Sequence, residues 1–199
     1  FTDTFTIKPT IMAETGRRMA ELVEAAVVNE ARRLATVRRV RQLLPGEVAV
    51  FDGLCRLATG LLRADAAVVA FLTDSEQVFL GRDGIEVATV PRAIPVELLR
   101  TAFIDIADLS LMDIGRNCPL VSGQLNSFRG AVAAPIRFEG QPIGLLTCYF
   151  RAIRDAASPT DVAHLTDLRD IAERLIVQES ALTAVARTAV LAIDGTAEA

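Results

Sequence analysis

The sequence predicts an α/β (α+β) fold whose central antiparallel sheet is covered on both faces. The main observation is a pair of apolar runs at 130–136 and 143–150 around the turn Glu139-Gly140-Gln141-Pro142. Gly140 permits a positive φ and Pro142 cannot donate to a strand ladder, so the pattern predicts a buried hairpin. Neither run alternates apolar and polar residues, which is typical of a sheet with helices on one face and a pocket-forming layer on the other. The second observation is a helical periodicity near each end of the chain.

The N-terminal part is predicted as an irregular arm at 1–10 and a helix at 11–44. Val23, Val27, Leu34, Val37 and Leu44 lie on a 4-3 spacing, and arginines crowd the other positions. This stripe can pack on its own domain or pair with a second copy, as in a coiled coil. Binding of nucleic acid by the arginines is a third interpretation, against which the net charge of −4 argues.

The middle of the chain, 45–157, is predicted as the core of the domain. The expected elements are, in order, a helix at 47–62, strands at 66–73 and 77–80, a short helix at 94–102 and a strand at 103–107. Residues 110–126 have mixed signals and are predicted as a loop with a short helix. Such a segment beside a rigid sheet is where binding residues are often found.

The C-terminal part, 158–199, is predicted as a long helix followed by a tail. Ser158 or Thr160 is expected to cap this helix, with acidic residues in its first turn. From 165 to 189, apolar and small side chains keep a 3-4 spacing that only Glu179 interrupts, and this is the period of a coiled coil. The first half is expected to pack on the sheet, whereas the second half outruns the sheet and has less to cover it.

The composition argues against several classes of protein. The longest uninterrupted apolar run, 66–72, is far shorter than the ~20 residues of a membrane span. The N-terminus has no basic-apolar-small signal, which predicts a cytoplasmic protein. Cys55, Cys118 and Cys148 have no paired spacing, so neither a disulfide framework nor zinc is expected. His164 is the sole histidine and is expected at the surface or at the flank of a helix.

Several of these stretches together resemble a GAF domain, a small-molecule-sensing module common in bacterial signalling proteins. The resemblance rests on Ala134-Pro135-Ile136, Gly140 and Ile143-Gly144-Leu145-Leu146 in the hairpin, and on the helical stretches 30–35 and 50–58. Residues 105–121 resemble the variable ligand-side segment of that family. The resemblance covers roughly residues 30–180. It implies a GAF-like fold with long N- and C-terminal helices on one face of the sheet and a ligand pocket on the other.

The resemblance also implies that the ligand-binding side chains lie on the pocket face. The candidates are Phe71, Phe79, Phe103, Asp108, Arg116, Val121, Phe128, Arg129, Thr147 and Tyr149. Arg116 and Arg129 suit an anionic ligand because a guanidinium pairs well with carboxylates and phosphates. The alternative is a salt bridge to Asp105, Asp108 or Asp113, which can also cap turns or gather a cation. Which hairpin side chains face the pocket depends on the strand register.

One group of GAF proteins is enzymatic, namely the free methionine sulfoxide reductases, which use cysteines near the ligand pocket. Asp108 and Cys118 have the spacing of that group's Asp and catalytic Cys. The chain has no cysteine between Cys55 and Cys118, however, so the expected resolving thiol is missing. Cys118 is followed by Pro119 rather than by the His typical of bilin attachment. The chain also lacks the lysine and the acidic pair in the signature of the GAF domains that bind cyclic nucleotides. We therefore predict no catalytic residue, no enzyme activity and no metal site.

The function expected from the sequence is a small-molecule-sensing module of a bacterial signal-transduction protein. It would relay ligand binding through the terminal helices of a parallel homodimer to a downstream signalling domain or protein. Two alternatives stay open, a GAF-type free methionine sulfoxide reductase and a ligand-free dimerisation module. The sequence names neither a ligand nor a cofactor, and we expect no partnership with nucleic acid or membrane.

Overall fold

The centre of the protein is a six-stranded sheet. Its strands are β1 Ala66–Leu72, β2 Glu76–Asp83, β3 Thr89–Pro91, β4 Ile104–Ile106, β5 Gly130–Phe138 and β6 Gln141–Phe150. They pair in the order β3-β2-β1-β6-β5-β4, and every pair is antiparallel. The structure is a computed structural model that describes residues 9–44, 48–112 and 117–197, with the side chains of 26–44, 48–112 and 117–189. The predicted α+β class and antiparallel sheet are confirmed.

Three α-helices that the structure describes in full accompany the sheet, and two of them are long. They are α1 Pro9–Leu43, α2 Ala49–Leu62 and α3 Pro159–Ala197. At the start of α3, the Ser158 hydroxyl accepts a hydrogen bond from the Asp161 amide at 3.1 Å, and the Asp161 carboxylate accepts one from the Ser158 amide at 3.0 Å. This reciprocal cap is the one expected from the sequence. The arm predicted at 1–10 lies outside the described residues, except that Pro9 and Thr10 already belong to α1.

The hairpin β5–β6 follows the predicted turn. Glu139 and Gly140 have φ values of 50° and 75°. Positive φ at both central residues defines a type I′ turn, whose twist matches that of the flanking strands. The turn and a β-bulge between Ile136 and Arg137 together set the register, in which Val132 lies opposite Cys148 and Ala133 lies opposite Thr147.

All three helices cover one face of the sheet, which we call the helix side. Here the inward side chains of the helices contact alternate residues of the strands. In β1, β5 and β6 these residues are Ala67, Val69, Phe71, Val132, Ala134, Leu146 and Cys148. Burial of this apolar surface is the main stabilising contribution to the layer. The prediction that helices from both chain ends pack on one face is confirmed.

The opposite face, which we call the cover side, lies under the irregular segment between β2 and β5. The intervening residues of the strands point this way, namely Ala66, Val68, Ala70, Leu72, Ala131, Ala133, Leu145 and Tyr149. The segment above them contains the 3-10 helices Val96–Arg100 and Leu109–Leu111. The helix predicted at 94–102 is therefore a shorter 3-10 turn, and β3 was not predicted at all.

The long helices are only partly covered by the sheet. In α3, Leu165, Leu168 and Ala172 are buried, whereas Leu182 is 57% exposed. The expected contrast between the two halves of this helix is confirmed. In α1, Val37 and Val40 are buried, as is Leu44 just after it, whereas Val27 is 63% exposed, so the two ends of the predicted stripe differ in burial. Within the described chain no helix is both long and apolar enough to span a membrane.

Candidate functional site

A small cavity lies between the cover side of the sheet and the segment above it. Its volume is about 30 Å³, which is room for about two waters. This is well below the ~300 Å³ or more of most small-molecule pockets. The described residues that line it are Gln77, Ile94, Leu98, Ile104, Ile106, Leu109, Cys118, Val121, Ala131, Ala133, Leu145, Thr147 and Tyr149.

Two polar side chains in this wall have no hydrogen-bond partner. Gln77 is 1% exposed and Thr147 is 3% exposed. Neither the Oε1 nor the Nε2 atom of Gln77, nor the Oγ1 atom of Thr147, contacts a donor or acceptor in the described protein. Buried polar groups are almost always paired, and an unpaired one typically costs about 1–3 kcal/mol. Unpaired groups that line a cavity therefore indicate a place for a partner from outside the chain.

The strand register brings these two side chains to the same face. Thr147 on β6 lies between Val68 of β1 and Ala133 of β5, both of which point to the cover side. Gln77 on β2 lies opposite Leu72, the last cover-side residue of β1. Because side chains alternate along a strand, Gln77 shares its face with Phe79.

The two titratable groups in the wall are held in their neutral forms. Burial raises the pKa of the Cys118 thiol above its ordinary value of 9.0, and burial likewise raises the pKa of the Tyr149 phenol well above 10.0. Removal of water penalises the charged form in both cases. The described wall of the cavity therefore carries no charge at physiological pH.

No protein-family model matches the sequence, and no curated protein sequence does. Solved structures match the fold. The GAF domain of a phosphoenolpyruvate-protein phosphotransferase from Coxiella burnetii has a TM-score of 0.51 at 18% identity, covering 82% of this chain and 99% of that one. The blue-light absorbing form of the PixJ GAF domain from Thermosynechococcus elongatus has a TM-score of 0.52 at 17% identity, covering 75% of this chain and 95% of that one. The type II free methionine-R-sulfoxide reductase from Thermoplasma acidophilum has a TM-score of 0.50 at 14% identity, covering 70% of this chain and 95% of that one.

The protein has the GAF fold. The structural matches establish the shared architecture. At identities this low they leave the activity open, because one fold supports many functions. The matching structures include a domain of a sensor histidine kinase, a cyanobacteriochrome receptor and the reductase. The fold implied by the hairpin and its neighbours in the sequence is thus confirmed.

Only some of the predicted ligand-binding residues that the structure describes line the cavity. Val121, Thr147 and Tyr149 line the cavity as expected of pocket residues. Phe79 and Phe128 lie on the cover side but behind the wall. The ring of Phe128 stacks on that of Tyr149, with centroids 5.2 Å apart, and so supports the wall from outside.

Phe71 and Phe103 do not have the positions predicted for them. Phe71 is 1% exposed and belongs to the helix side, and Phe103 packs against the same cluster. The cause is the alternation of β1, since Phe71 is an odd number of residues from Ala66, Ala70 and Leu72 on the cover side. A strand in which every residue is apolar contains no signal that distinguishes its faces.

Asp108 and Arg129 pair with each other rather than with the cavity. Arg129 donates to both carboxylate oxygens of Asp108, from Nε at 3.1 Å and from Nη2 at 2.8 Å. Asp108 also accepts from the Ser110 amide at 3.0 Å, which caps the second 3-10 helix. Asp105 pairs with Arg154 at 2.8 Å. These contacts are the structural alternative that the sequence left open, and Arg116 and Asp113 lie outside the described residues.

Sequence reasoning did not select most of the wall, and Gln77 is the most informative omission. Its signal was present, because Gln77 and Phe79 are two residues apart in a strand and must share a face. The apolar residues at Ile94, Leu98, Ile104, Ile106 and Leu109 come from short irregular elements. Such elements have no periodicity from which an inward face can be deduced.

Metal ligands are not gathered in the described part of the chain. No group of three or more His, Cys, Asp or Glu side chains is placed to hold an ion there. His164 lies half-buried on α3. Cys55 and Cys148 belong to the helix side, where burial raises the pKa of each thiol to about 12. They have the core positions predicted for them.

A buried arginine connects α1 to the strand that lies beside Gln77. Arg33 is 2% exposed, and its Nη1 donates to the Leu72 carbonyl at 2.7 Å. Its Nε and Nη2 donate to the Glu30 carboxylate at 2.7 and 2.8 Å. Arg92 extends this group by donating to the Thr73 carbonyl at 2.8 Å. Since Leu72 pairs with Gln77, the cavity wall and α1 are separated by a single strand residue.

Proposed function

We propose that this protein is a cytoplasmic small-molecule-sensing module of a bacterial signal-transduction protein, whose ligand binds in the cover-side cavity. The observation that carries the proposal is the pair Gln77 and Thr147, both buried and both without a partner at the same cavity. A protein that only packs its own core gains stability by replacing such groups with apolar ones. Their presence is therefore best explained by a ligand that supplies the missing hydrogen bonds.

Native mass spectrometry of the purified protein tests this proposal. We expect the wild type to retain a bound small molecule, and the double variant Gln77→Leu with Thr147→Val to lose it. Thr73→Val is the matched control, because Thr73 is also a buried threonine but its hydroxyl is bonded within the β1–β2 turn. Absence of any retained mass from the wild type, or retention of the same mass by the double variant, would contradict the proposal.

The Arg33 group supports a route from the cavity to the terminal helices. In this scheme residues 45–157 sense the ligand, and the helices at 11–44 and 158–199 pass the change on. A ligand that engages Gln77 alters the strand pair Leu72–Gln77, and the Leu72 carbonyl holds Arg33 of α1. Arg33 and Glu30 form a charge-assisted pair, which favours discrete arrangements over gradual displacement.

We further propose that the module acts as a parallel homodimer through α1 and the distal half of α3. The exposed apolar side chains on these helices support this, namely Val27 at 63%, Val28 at 52%, Leu182 at 57% and Val185 at 69% exposure. Long helices with an uncovered apolar stripe are seldom stable alone in water, and two-fold pairing is the commonest arrangement. A downstream signalling domain or partner protein would receive the change from these helices.

We infer that the chain does not turn over a substrate. Cys118 lies on the cover side, while Cys55 and Cys148 lie on the helix side, so the sheet separates Cys118 from both other thiols of the chain. A disulfide-forming cycle needs an attacking thiolate and a resolving thiol, and burial disfavours the thiolate of Cys118. An assay with free methionine sulfoxide and a dithiol reductant should show no turnover, and turnover that Cys118→Ser abolishes would establish the enzyme instead.

A ligand-free dimerisation module is the second candidate. The small volume of the cavity, about 30 Å³, favours it. In that case the wild type would carry no retained molecule in the native mass spectrum while still forming dimers.

A further inference from the structure

We propose that the ligand of this cavity is uncharged and carries a hydrogen-bond donor and an acceptor side by side. Small carboxamides and ureas belong to this class. The inference rests on the proposed function, and it specifies the chemistry of the same site. It departs from the anionic ligand that Arg116 and Arg129 suggest in the sequence.

The first argument is the hydrogen-bonding capacity that Gln77 leaves unused. Its side-chain amide has a carbonyl that accepts and an NH2 group that donates, and both atoms are unpartnered. Exchanging the oxygen and nitrogen positions of the amide leaves this conclusion unchanged. A ligand that satisfies both atoms at once must present a donor next to an acceptor. Thr147 adds one hydroxyl, which can donate or accept.

The second argument is the absence of a countercharge among the described residues of the wall. None of them is Asp, Glu, Lys, Arg or His. Cys118 and Tyr149 stay neutral because burial raises the pKa of each. Arg129 does not line the cavity, and both oxygens of Asp108 already engage its guanidinium. An ion in this cavity would lose its water without gaining a partner charge, which is strongly unfavourable.

The third argument is the remainder of the wall. Apart from Gln77 and Thr147, and from the neutral thiol and phenol, the described lining consists of aliphatic side chains such as Ile104, Leu109 and Leu145. Apolar walls favour apolar ligand atoms next to the polar head. The site thus selects a small amide-like head on a short apolar body.

Acetamide and acetate test the inference, because they share a shape and differ in charge. Saturation-transfer NMR titrations of the full chain should detect acetamide binding in the millimolar range, with acetate at least ten-fold weaker. Gln77→Leu should weaken acetamide binding at least ten-fold, and Thr147→Val should weaken it to a smaller extent. Thr73→Val should bind acetamide like the wild type. Far-UV circular dichroism of each variant confirms that it is folded.

Other outcomes overturn the inference in distinguishable ways. Acetate binding that equals or exceeds acetamide binding, and that Thr147→Val or Arg116→Ala reduces, would show an anion site and would leave the proposed sensing function intact. Acetamide binding that Gln77→Leu leaves unchanged would place the amide site elsewhere. If neither probe binds the folded protein, the inference fails, and the native mass comparison decides the proposed function separately.

Discussion

At the scale of single residues, two buried threonines provide a matched test of the unpartnered groups. The Thr147 hydroxyl has no partner, whereas the Thr73 hydroxyl accepts from the Glu76 amide at 2.8 Å and donates to the Glu76 carbonyl at 3.0 Å. Removing an unpaired buried hydroxyl should stabilise the ligand-free protein, and removing a paired one should destabilise it. We expect Thr147→Val to raise the free energy of unfolding by about 1 kcal/mol and Thr73→Val to lower it by about 1–2 kcal/mol.

Urea denaturation of protein stripped of small molecules measures both changes. The protein is first unfolded, dialysed and refolded, so that a retained ligand does not add to the stability of the wild type. A loss of stability in Thr147→Val equal to that in Thr73→Val would mean that the Thr147 hydroxyl is satisfied by buried water, and would remove the main support for the site.

The Asp108–Arg129 pair predicts a pH dependence at acid pH. Hydrogen bonds from Arg129, and secondarily from Ser110, hold the pKa of the Asp108 carboxyl well below its ordinary value of 3.8. Because the folded-state pKa is depressed, the stabilisation is fully present above the unfolded value and is lost as pH falls through the folded one. The Tm difference between wild type and Asp108→Asn should be constant from about pH 5 to 8 and should shrink below about pH 4.

Thermal melts across this pH range check that expectation. Asp74→Asn, at an exposed position, controls for the change in net charge. A Tm difference for Asp108→Asn that is the same at low and neutral pH would show that the carboxylate contributes through packing rather than through its charge.

Residue positions were predictable only where a neighbouring feature fixes the face of a strand. Thr147 and Tyr149 share a face because they are two residues apart on β6, but which face they share depends on the β-bulge between Ile136 and Arg137, which the turn does not reveal. Phe71 was misplaced because β1 is apolar on both faces. Arg129 was predictable as either a ligand contact or a salt bridge, and only the three-dimensional proximity of Asp108 decides between them.

At the scale of elements, a glycine of β2 sets how closely α2 approaches the sheet. A Cβ atom on Gly81 would lie 2.3 Å from the carbonyl carbon of Phe51 and 2.7 Å from the Asp52 amide nitrogen. Neither atom can move without shifting the helix. We expect Gly81→Ala to lower the free energy of unfolding by about 1–3 kcal/mol through overpacking.

Gly60 in α2 provides the opposite case for the same substitution. Nothing lies within 4 Å of a Cβ atom built there. Because glycine lowers helix stability, Gly60→Ala should raise the free energy of unfolding by about 0.5–1 kcal/mol. Chemical denaturation of both variants measures the contrast, and a Gly81→Ala protein as stable as the wild type would show that α2 does not press on β2 in this way.

Whole elements were predictable where local chemistry is strong. The hairpin turn and the α3 cap follow from residues whose conformational preferences are clear, namely Gly140 and Ser158. β3 was missed because three residues carry no usable periodicity, and its pairing with β2 is a long-range contact. The segment at 94–102 folds as a 3-10 turn because the turn begins after Pro95 and is too short for an α-helix.

At the scale of the whole molecule, the proposed homodimer predicts the effect of charge on the exposed helical stripes. Val27→Glu together with Leu182→Glu should produce monomers, since buried carboxylates at an apolar interface are unfavourable. Both positions are more than half exposed in the single chain, so the sheet should stay folded. Leu111→Glu, at a leucine that is 84% exposed in the covering segment, is the control and should remain dimeric.

Light scattering coupled to gel filtration reads the oligomeric state directly. A wild type that is monomeric at micromolar concentration, or a double variant that is still dimeric, would exclude this interface.

The overall architecture was predictable because hydrophobic periodicity and the hairpin determine the layers. The size of the cavity was not, because it depends on how irregular segments pack.

The central claim is that a small amide-like molecule binds on the cover side of the sheet, and the methyl resonances of six isoleucines test it directly. Ile94, Ile104 and Ile106 line the cavity, whereas Ile136, Ile143 and Ile176 lie on the helix side. In a protein labelled with 13C at the isoleucine δ1 methyl groups, acetamide should shift the resonances of the first three and leave the last three in place. Shifts confined to the helix-side isoleucines, or no shift at any of the six, would contradict the account.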